Sequence, residues 1–363
     1  MEMPLAGIKV LDLSTMYPGP VCTMTLADFG AEVIRVEPTN GGDLWRYSLP
    51  LVNGLGMPYL QVNRNKKSIC LNLKDPEAKE IFYRLVKDAD VVVEQYRPGV
   101  AQRLGVDYDT LRKLNEKIVY CSISGFGQTG PYRLLAGHDI NYISYAGILG
   151  LTARKGECPV LPGVQIGDVS GGALYAVIGI LMALMGVKQT GKGQYIDTAM
   201  FDGAVSMMHW NASSCLAGSE AMQPQGNILI GQLACYNVYE TKDARYISLG
   251  AVEAHLWGNF CEKIGHPEFT DSQRKVEKQH DMIAFLRTLF RSKTLEEWKQ
   301  FLADTDCCWS PVATVDEVMN DPQVMARGMI TEMTDPQGEY GTVKFIASPL
   351  KLSETPARNE LFP

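Results

Sequence analysis

Hydrophobic positions in the first part of the chain recur in two alternating rhythms. Short apolar runs at 8–13 (IKVLDL), 32–37 (EVIRVE), 68–73, 90–96 (DVVVEQY) and 117–124 (KIVYCSIS) read as buried strands. Longer segments between them carry helical spacing. Tyr17-Pro18-Gly19-Pro20 is a turn with proline at a helix start, and 21–29 is the helix, closed by Gly30. Asp75 and Pro76 suit the cap and first turn of an amphipathic helix to residue 89. A strand, a helix and a further strand in succession imply parallel pairing. Residues 40–58, rich in Gly and Pro, read as a loop.

The strand at 117–124 leads into a Gly/Pro loop and then His138 and Asp139, where the next helix is expected to begin. Gly167-Asp168 heads an apolar helix running to about residue 187, after a loop at 156–164. Small residues at 171, 172, 173, 176 and 179 recur along it with near-helical spacing, which predicts a tight helix crossing or a subunit contact. A strand at 194–198 and a helix at 201–216 follow. The rhythm then changes to strands at 233–240 and 245–250 and helices near 254–264, 282–290 and 295–302, an α+β pattern that predicts a second, smaller domain. Prolines at 311, 322, 336, 349, 356 and 363 favour short elements in the remaining tail.

Composition narrows the classes of function. With 46% hydrophobic and 21% charged residues the 363-residue chain is ordinary for a globular protein, and its length favours two domains. The net charge of −7, without a Lys/Arg block, argues against a nucleic-acid partner. The amino-terminal residues lack the basic-then-apolar pattern of a signal peptide. The longest apolar stretch, 169–185, is interrupted by glycines and falls short of the ~20 residues of a membrane span, so it is expected to be a buried helix. Nine scattered cysteines without C-x-x-C spacing fit reduced thiols and a cytoplasmic location.

Candidate chemistry concentrates at a few positions. His138 and Asp139 at a loop-to-helix junction form a reactive pair; alternatively, Asp139 caps the helix and His138 is an ordinary partly buried histidine. Cations at 64, 66, 67, 74, 97 and 103 follow or precede strands, where they are positioned to meet an anionic ligand at the crevice of an open α/β sheet. No G-x-G-x-x-G follows the first strand, so a dinucleotide site lacks its main sequence support. His209, His255, His266 and His280 show no metal-ligand spacing, and no metal is expected. Asp12 and Asp28 receive solvent or capping roles only.

The strings AGHDINY (136–142), IGDVSGG (166–172), GKGQYIDTAM (191–200) and GAVE (250–253) resemble the family III CoA-transferase superfamily (CaiB/BaiF), and within it the α-methylacyl-CoA racemase branch. The similarity extends through LAGIKVLDLS, FGAEVIRVEP, LNLK (71–74), YRPGV (96–100) and SGFGQTGPY (124–132), nearly the whole chain. The resemblance implies an α/β fold: a Rossmann-like large domain at 1–217, rejoined by 325–363, a small α+β domain with linkers at 218–324, and an interlocked homodimer. It implies acyl-CoA as substrate, with no cofactor beyond the CoA moiety. His138 and Asp168 then correspond to proton-transferring groups on opposite faces of the acyl α-carbon, with Asp139 and Glu253 paired in support. Asn72, Lys74, Arg97 and Arg103 match positions that hold CoA.

Inverting a stereocentre beside a thioester needs one base to remove the α-proton and one acid to return a proton to the other face. The same superfamily contains CoA-transferases, in which the aspartate matching Asp168 is a nucleophile that carries CoA as an aspartyl thioester. His138 favours the racemase, since such transferases commonly lack histidine there. Two strings depart from the racemase pattern: Gly163-Val164 replaces a Leu-Asn pair, and Ile230-Gly231-Gln232-Leu233-Ala234 replaces Asp-Gly-Gly-Ala-Pro.

Overall fold

The computed structural model describes residues 2–363, which form two compact units. The first comprises the chain up to Ile148, Pro162–Met208 and Pro322–Pro363; the second comprises Leu149–Leu161 and His209–Asp321. The boundary thus falls earlier than the 217/218 division read from the sequence, and a short excursion after Ile148 leaves the first unit.

Six strands build the sheet of the first unit: Lys9–Asp12 (β1), Glu32–Glu37 (β2), Lys66–Cys70 (β3), Val91–Glu94 (β4), Val119–Ser124 (β5) and Tyr195–Ala199 (β6). They lie in the order β3-β2-β1-β4-β5-β6, and every pairing is parallel. This is the doubly wound arrangement, with its reversal of strand order between β1 and β4. The run Val91-Val92-Val93 explains why the strands read as continuously apolar. Val91 and Val93 enter one core with the helices Pro18–Asp28 and Leu174–Thr190, whereas Val92 enters another with Phe82 and Val86 of Pro76–Lys87. Each such valine removed from water contributes about 1.5–3 kcal/mol.

A second layer of order comes from buried charge beneath the edge of this sheet. Lys66 places its Nζ 3.2 Å from Asp12 Oδ2 and donates to Pro20 O (2.9 Å) and Asn63 Oδ1 (3.0 Å). Arg64 grips Asp28 with Nε at 2.9 Å and Nη2 at 2.6 Å, and its Nη1 donates to Ile346 O at 3.0 Å. Arg35 pairs with Asp43 and Asn63 in the same interior. Arg64 and Lys66, expected from the sequence as ligand cations, are already engaged within the fold. They are buried, and their charges are compensated by Asp28 and Asp12, which hold structural rather than solvent or capping roles. Lys67, on the surface, pairs with Glu32 at 2.6 Å.

The helix expected to be wholly buried is half open. Residues Ile166–Thr190 are long and apolar enough to cross a membrane by length and composition, rather than short of that length as expected. Ala176, Val177, Ile180, Ala183 and Leu184 lie in the core, while Met182 and Met185 are 66% and 64% exposed. Within 40–58, read as a loop, the chain forms the small hairpin Leu51–Val52/Leu55–Gly56 and begins the helix Met57–Asn63. That helix packs Tyr59 and Leu60 against Met333, Val343 and Phe345 of the hairpin Ile330–Thr334/Thr342–Ile346, which returns the carboxyl-terminal segment to the first unit.

The second unit is an antiparallel sheet of Tyr236–Glu240, Tyr246–Gly250 and Trp309–Pro311 with helices Ala254–Lys263, Val276–Phe290 and Leu295–Leu302. Trp257, Phe260, Phe290, Trp298 and Tyr239 fill its core.

Candidate active site

Open α/β sheets bind ligands beyond the carboxyl ends of their strands, at the point where strand order reverses. Here that point lies between β1 and β4, and a cavity of about 1340 Å³ opens there. Its wall includes Tyr17 after β1, Gln95, Tyr96 and Arg97 after β4, Gly125 and Phe126 after β5, and His138 and Asp168. All of these belong to the first unit.

His138 occupies the cap position of the helix Asp139–Tyr145, and its N–H donates to Asn141 Oδ1 at 3.0 Å. Asp139 is consequently the first helical residue rather than the cap. Its Oδ1 accepts the N–H of Asp168 at 3.0 Å, so the two motifs are joined by a direct hydrogen bond across 29 residues of sequence. Gly167 permits this approach: a Cβ there would lie 3.1 Å from Asp139 Oδ1 and 3.3 Å from Tyr142 Cβ. The Tyr142 hydroxyl donates to Gly137 O at 2.5 Å and fixes the strand-to-helix loop from behind.

Asp168 sits in a turn wider than an α-helix, Ile166–Ala173, which runs directly into Leu174–Thr190. Wide turns of this kind recur at functional sites. The small-residue stripe explains the placement: a Cβ on Gly203 would overlap the backbone of Gly171, so the helix Met200–Ser206 crosses the turn with backbone against backbone. The expected tight crossing is thus found within the chain.

Asp168 is half-buried, whereas His138 is exposed at the cavity mouth. Burial first, and then the neighbouring Asp139 charge, push the Asp168 carboxyl up to about 6, with His138 opposing. A carboxyl in that range exchanges a proton near neutrality. Burial, and then Asp168, also raise Tyr142, to about 12, so its phenol remains a donor.

Of the cations expected to hold an anion, Arg97 borders the cavity, as does Arg64, whose charge is already taken by Asp28. Lys74 and Arg103 are exposed in the segments that follow β3 and β4, outside the cavity lining. Among the described residues none of these three forms an ion pair, in contrast to Arg64, Lys66 and Lys67. Asn72 Oδ1 accepts the Lys74 N–H at 3.2 Å, which shapes the turn that carries the lysine. Glu253 belongs to the second unit, where it is exposed and precedes the helix Ala254–Lys263. Sequence reasoning passed over Tyr17, Gln95 and Tyr142. The Tyr-Pro-Gly-Pro turn was visible, but only the strand order brings it beside the loop after β4.

A doubly wound sheet whose switch-point cavity is bordered by a histidine and an aspartate, the latter held through its N–H by the Asp139 carboxylate, is the form to which the motifs pointed. The chain belongs to CoA-transferase family III, whose model matches residues 5–362. It is 36% identical to the human alpha-methylacyl-CoA racemase, over 90% of this chain and 82% of that protein. It is 34% identical to the human succinyl-CoA:glutarate CoA-transferase, over 92% and 77%. A crystal structure of a CaiB/BaiF family protein from Brucella suis superposes with a TM-score of 0.86 at 32% identity, covering 100% of this chain and 96% of that one. Relatives of both activities therefore stand at similar distances.

Proposed function

We propose that this protein is a racemase or epimerase of 2-methyl-branched acyl-CoA thioesters. The observation that carries the reading is the meeting of His138 and Asp168 at one cavity, with Asp168 raised to about 6. In this mechanism one of the two removes the α-proton: the C–H bond breaks and its electron pair passes into the thioester enolate. The other then delivers a proton to the opposite face, and the roles reverse for the other enantiomer. A carboxyl raised to about 6 is poised to give up and to take back a proton near neutrality, as the alternating acid and base roles require. Asp139 holds the Asp168 backbone, and Glu253 is assigned a supporting role with it. Arg97, Lys74, Arg103 and Asn72 are assigned to the CoA moiety, the cations as partners for its phosphates.

The reaction draws on no cofactor beyond the CoA of its substrate, and a cytoplasmic setting suits nine unpaired cysteines. An interlocked homodimer would cover the open apolar face that carries Met182 and Met185. With one enantiomer of a 2-methylacyl-CoA in deuterated water, α-deuterium incorporation is expected together with loss of stereochemical purity. Absence of exchange with every branched acyl-CoA would refute this reading.

The second reading is a CoA-transferase between carboxylic acids. It is favoured by the relatives of that activity and by Gly163-Val164 in place of Leu-Asn. Asp168 would attack the thioester carbonyl, expel the CoA thiolate as a mixed anhydride forms, and then receive CoA while the acid departs. Hydroxylamine should then inactivate the enzyme only in the presence of acyl-CoA. Under this reading His138→Ala keeps full activity; under the first it does not.

A further inference from the structure

The turn leaving β1 is tied down by the buried charges, and it delivers the phenol of Tyr17 to the cavity. Ser14 N–H donates to Asp12 Oδ1 at 2.9 Å, Ser14 O accepts from Arg35 Nη2 at 3.2 Å, and Met16 N–H donates to Asp43 Oδ2 at 2.8 Å. Asp12 and Asp43 are themselves buried and held by Lys66 and Arg35. Met16 adopts a left-handed φ of 64°, a conformation that costs a methionine on the order of 1 kcal/mol. The anchored backbone therefore overrides local preference at the residue just before Tyr17.

Tyr17 is half-buried, with its ring centroid 5.1 Å from that of Trp45, and it borders the same cavity as His138 and Asp168. The next residue, Pro18, lies against the Asp168 turn, since a Cβ on Gly172 would come within 3.3 Å of Pro18 Cβ. Among the described residues the Tyr17 hydroxyl has no hydrogen-bond partner, although its backbone carbonyl accepts from Val21.

We propose that Tyr17 is a catalytic hydrogen-bond donor whose phenol meets the carbonyl oxygen of the bound thioester, where negative charge develops during reaction. The inference rests on the acyl-CoA reading above but not on the choice between its two forms. An enolate and a tetrahedral adduct both place charge on that oxygen. Burial, and then the charges of Asp168 and Asp139, raise the Tyr17 pKa, so the phenol stays protonated and does not compete as a base. The buried salt bridges then act as the frame that keeps this donor in place.

Tyr17→Phe retains the ring against Trp45 and deletes only the O–H. Removing one such donor lowers kcat about 10²–10³-fold, and here KM should stay near the wild-type value. The direct readout uses isobutyryl-CoA labelled with carbon-13 at the carbonyl, bound to full-length Asp168→Asn to prevent turnover. The infrared carbonyl band should move to lower frequency on binding, and adding Tyr17→Phe should abolish the movement. The Kd for a CoA thioether lacking that oxygen should not change. An equal band movement in both proteins, wild-type turnover by Tyr17→Phe, or equal weakening of thioester and thioether would overturn the assignment and leave the acyl-CoA reading standing. Failure of every acyl-CoA to bind the wild type would overturn both.

Discussion

Replacing Asp168 by Asn should stabilise the protein at neutral pH, and the gain should disappear in acid. The side chain is half-buried and its carboxyl is raised from the ordinary 3.8 to about 6 by burial and by Asp139. Between these two values the folded chain holds a proton that the unfolded chain has released. The stability associated with that proton is full below the unfolded value and is lost as pH rises through the folded one. At about 1.36 kcal/mol for each pH unit between the two, the ionised carboxylate costs the fold about 3 kcal/mol at pH 7–8. Asparagine is uncharged, nearly the same shape, and keeps the backbone N–H that donates to Asp139. The variant should therefore exceed wild type by up to about 3 kcal/mol near pH 8 and match it below about pH 4. Equilibrium urea unfolding at fixed protein concentration measures this, read by pulse hydrogen exchange of peptides covering Val91–Glu94 and Val119–Ser124, which report on the unit that holds Asp168. A gain independent of pH, or a loss near pH 8, would refute the assignment of the raised pKa to a desolvated carboxyl in the folded state.

Asp139→Asn should move the acidic limb of the kcat/KM profile to lower pH, because the substitution removes the second cause of the rise at Asp168 while keeping an acceptor for its N–H. Arg64→Met should cost about 3–5 kcal/mol in urea unfolding by leaving the buried Asp28 without its cationic partner, and Asp28→Asn added to it should recover much of that loss. The same substitution removes the bond to Ile346 O, so the carboxyl-terminal hairpin should become more susceptible to limited proteolysis. Gly203→Ala should lower stability by about 1–3 kcal/mol, since the added methyl overlaps the Gly171 backbone, and should reduce activity further by displacing the Asp168 turn.

What the chain discloses locally and what it withholds follow from how far apart the interacting residues lie. The strand Glu32–Glu37 was placed to the residue, because a short apolar run between a helix-ending glycine and a proline carries its own boundaries. The helix starts at Asp139 and Pro76 were legible for the same reason. Arg64 and Lys66 misled because a cation at a strand end looks alike whether it awaits a phosphate or is already neutralised. Their partners Asp28 and Asp12 lie 36 and 54 positions away, and nothing in the intervening sequence joins them. The site divides along the same line. His138, Asp139 and Asp168 stand in strings distinctive enough to be recognised, yet the hydrogen bond between Asp139 and Asp168 and the rise of Asp168 toward neutrality exist only once the chain has folded the two strings together. Tyr17 was hidden because its relevance depends on β1 and β4 being neighbours, a fact of strand order rather than of any motif. Buried Lys66 and the overlooked tyrosine are therefore two parts of one arrangement. Lys66, which first resembled part of a binding site, instead holds Asp12 and so helps to fix the turn that carries the phenol to the cavity.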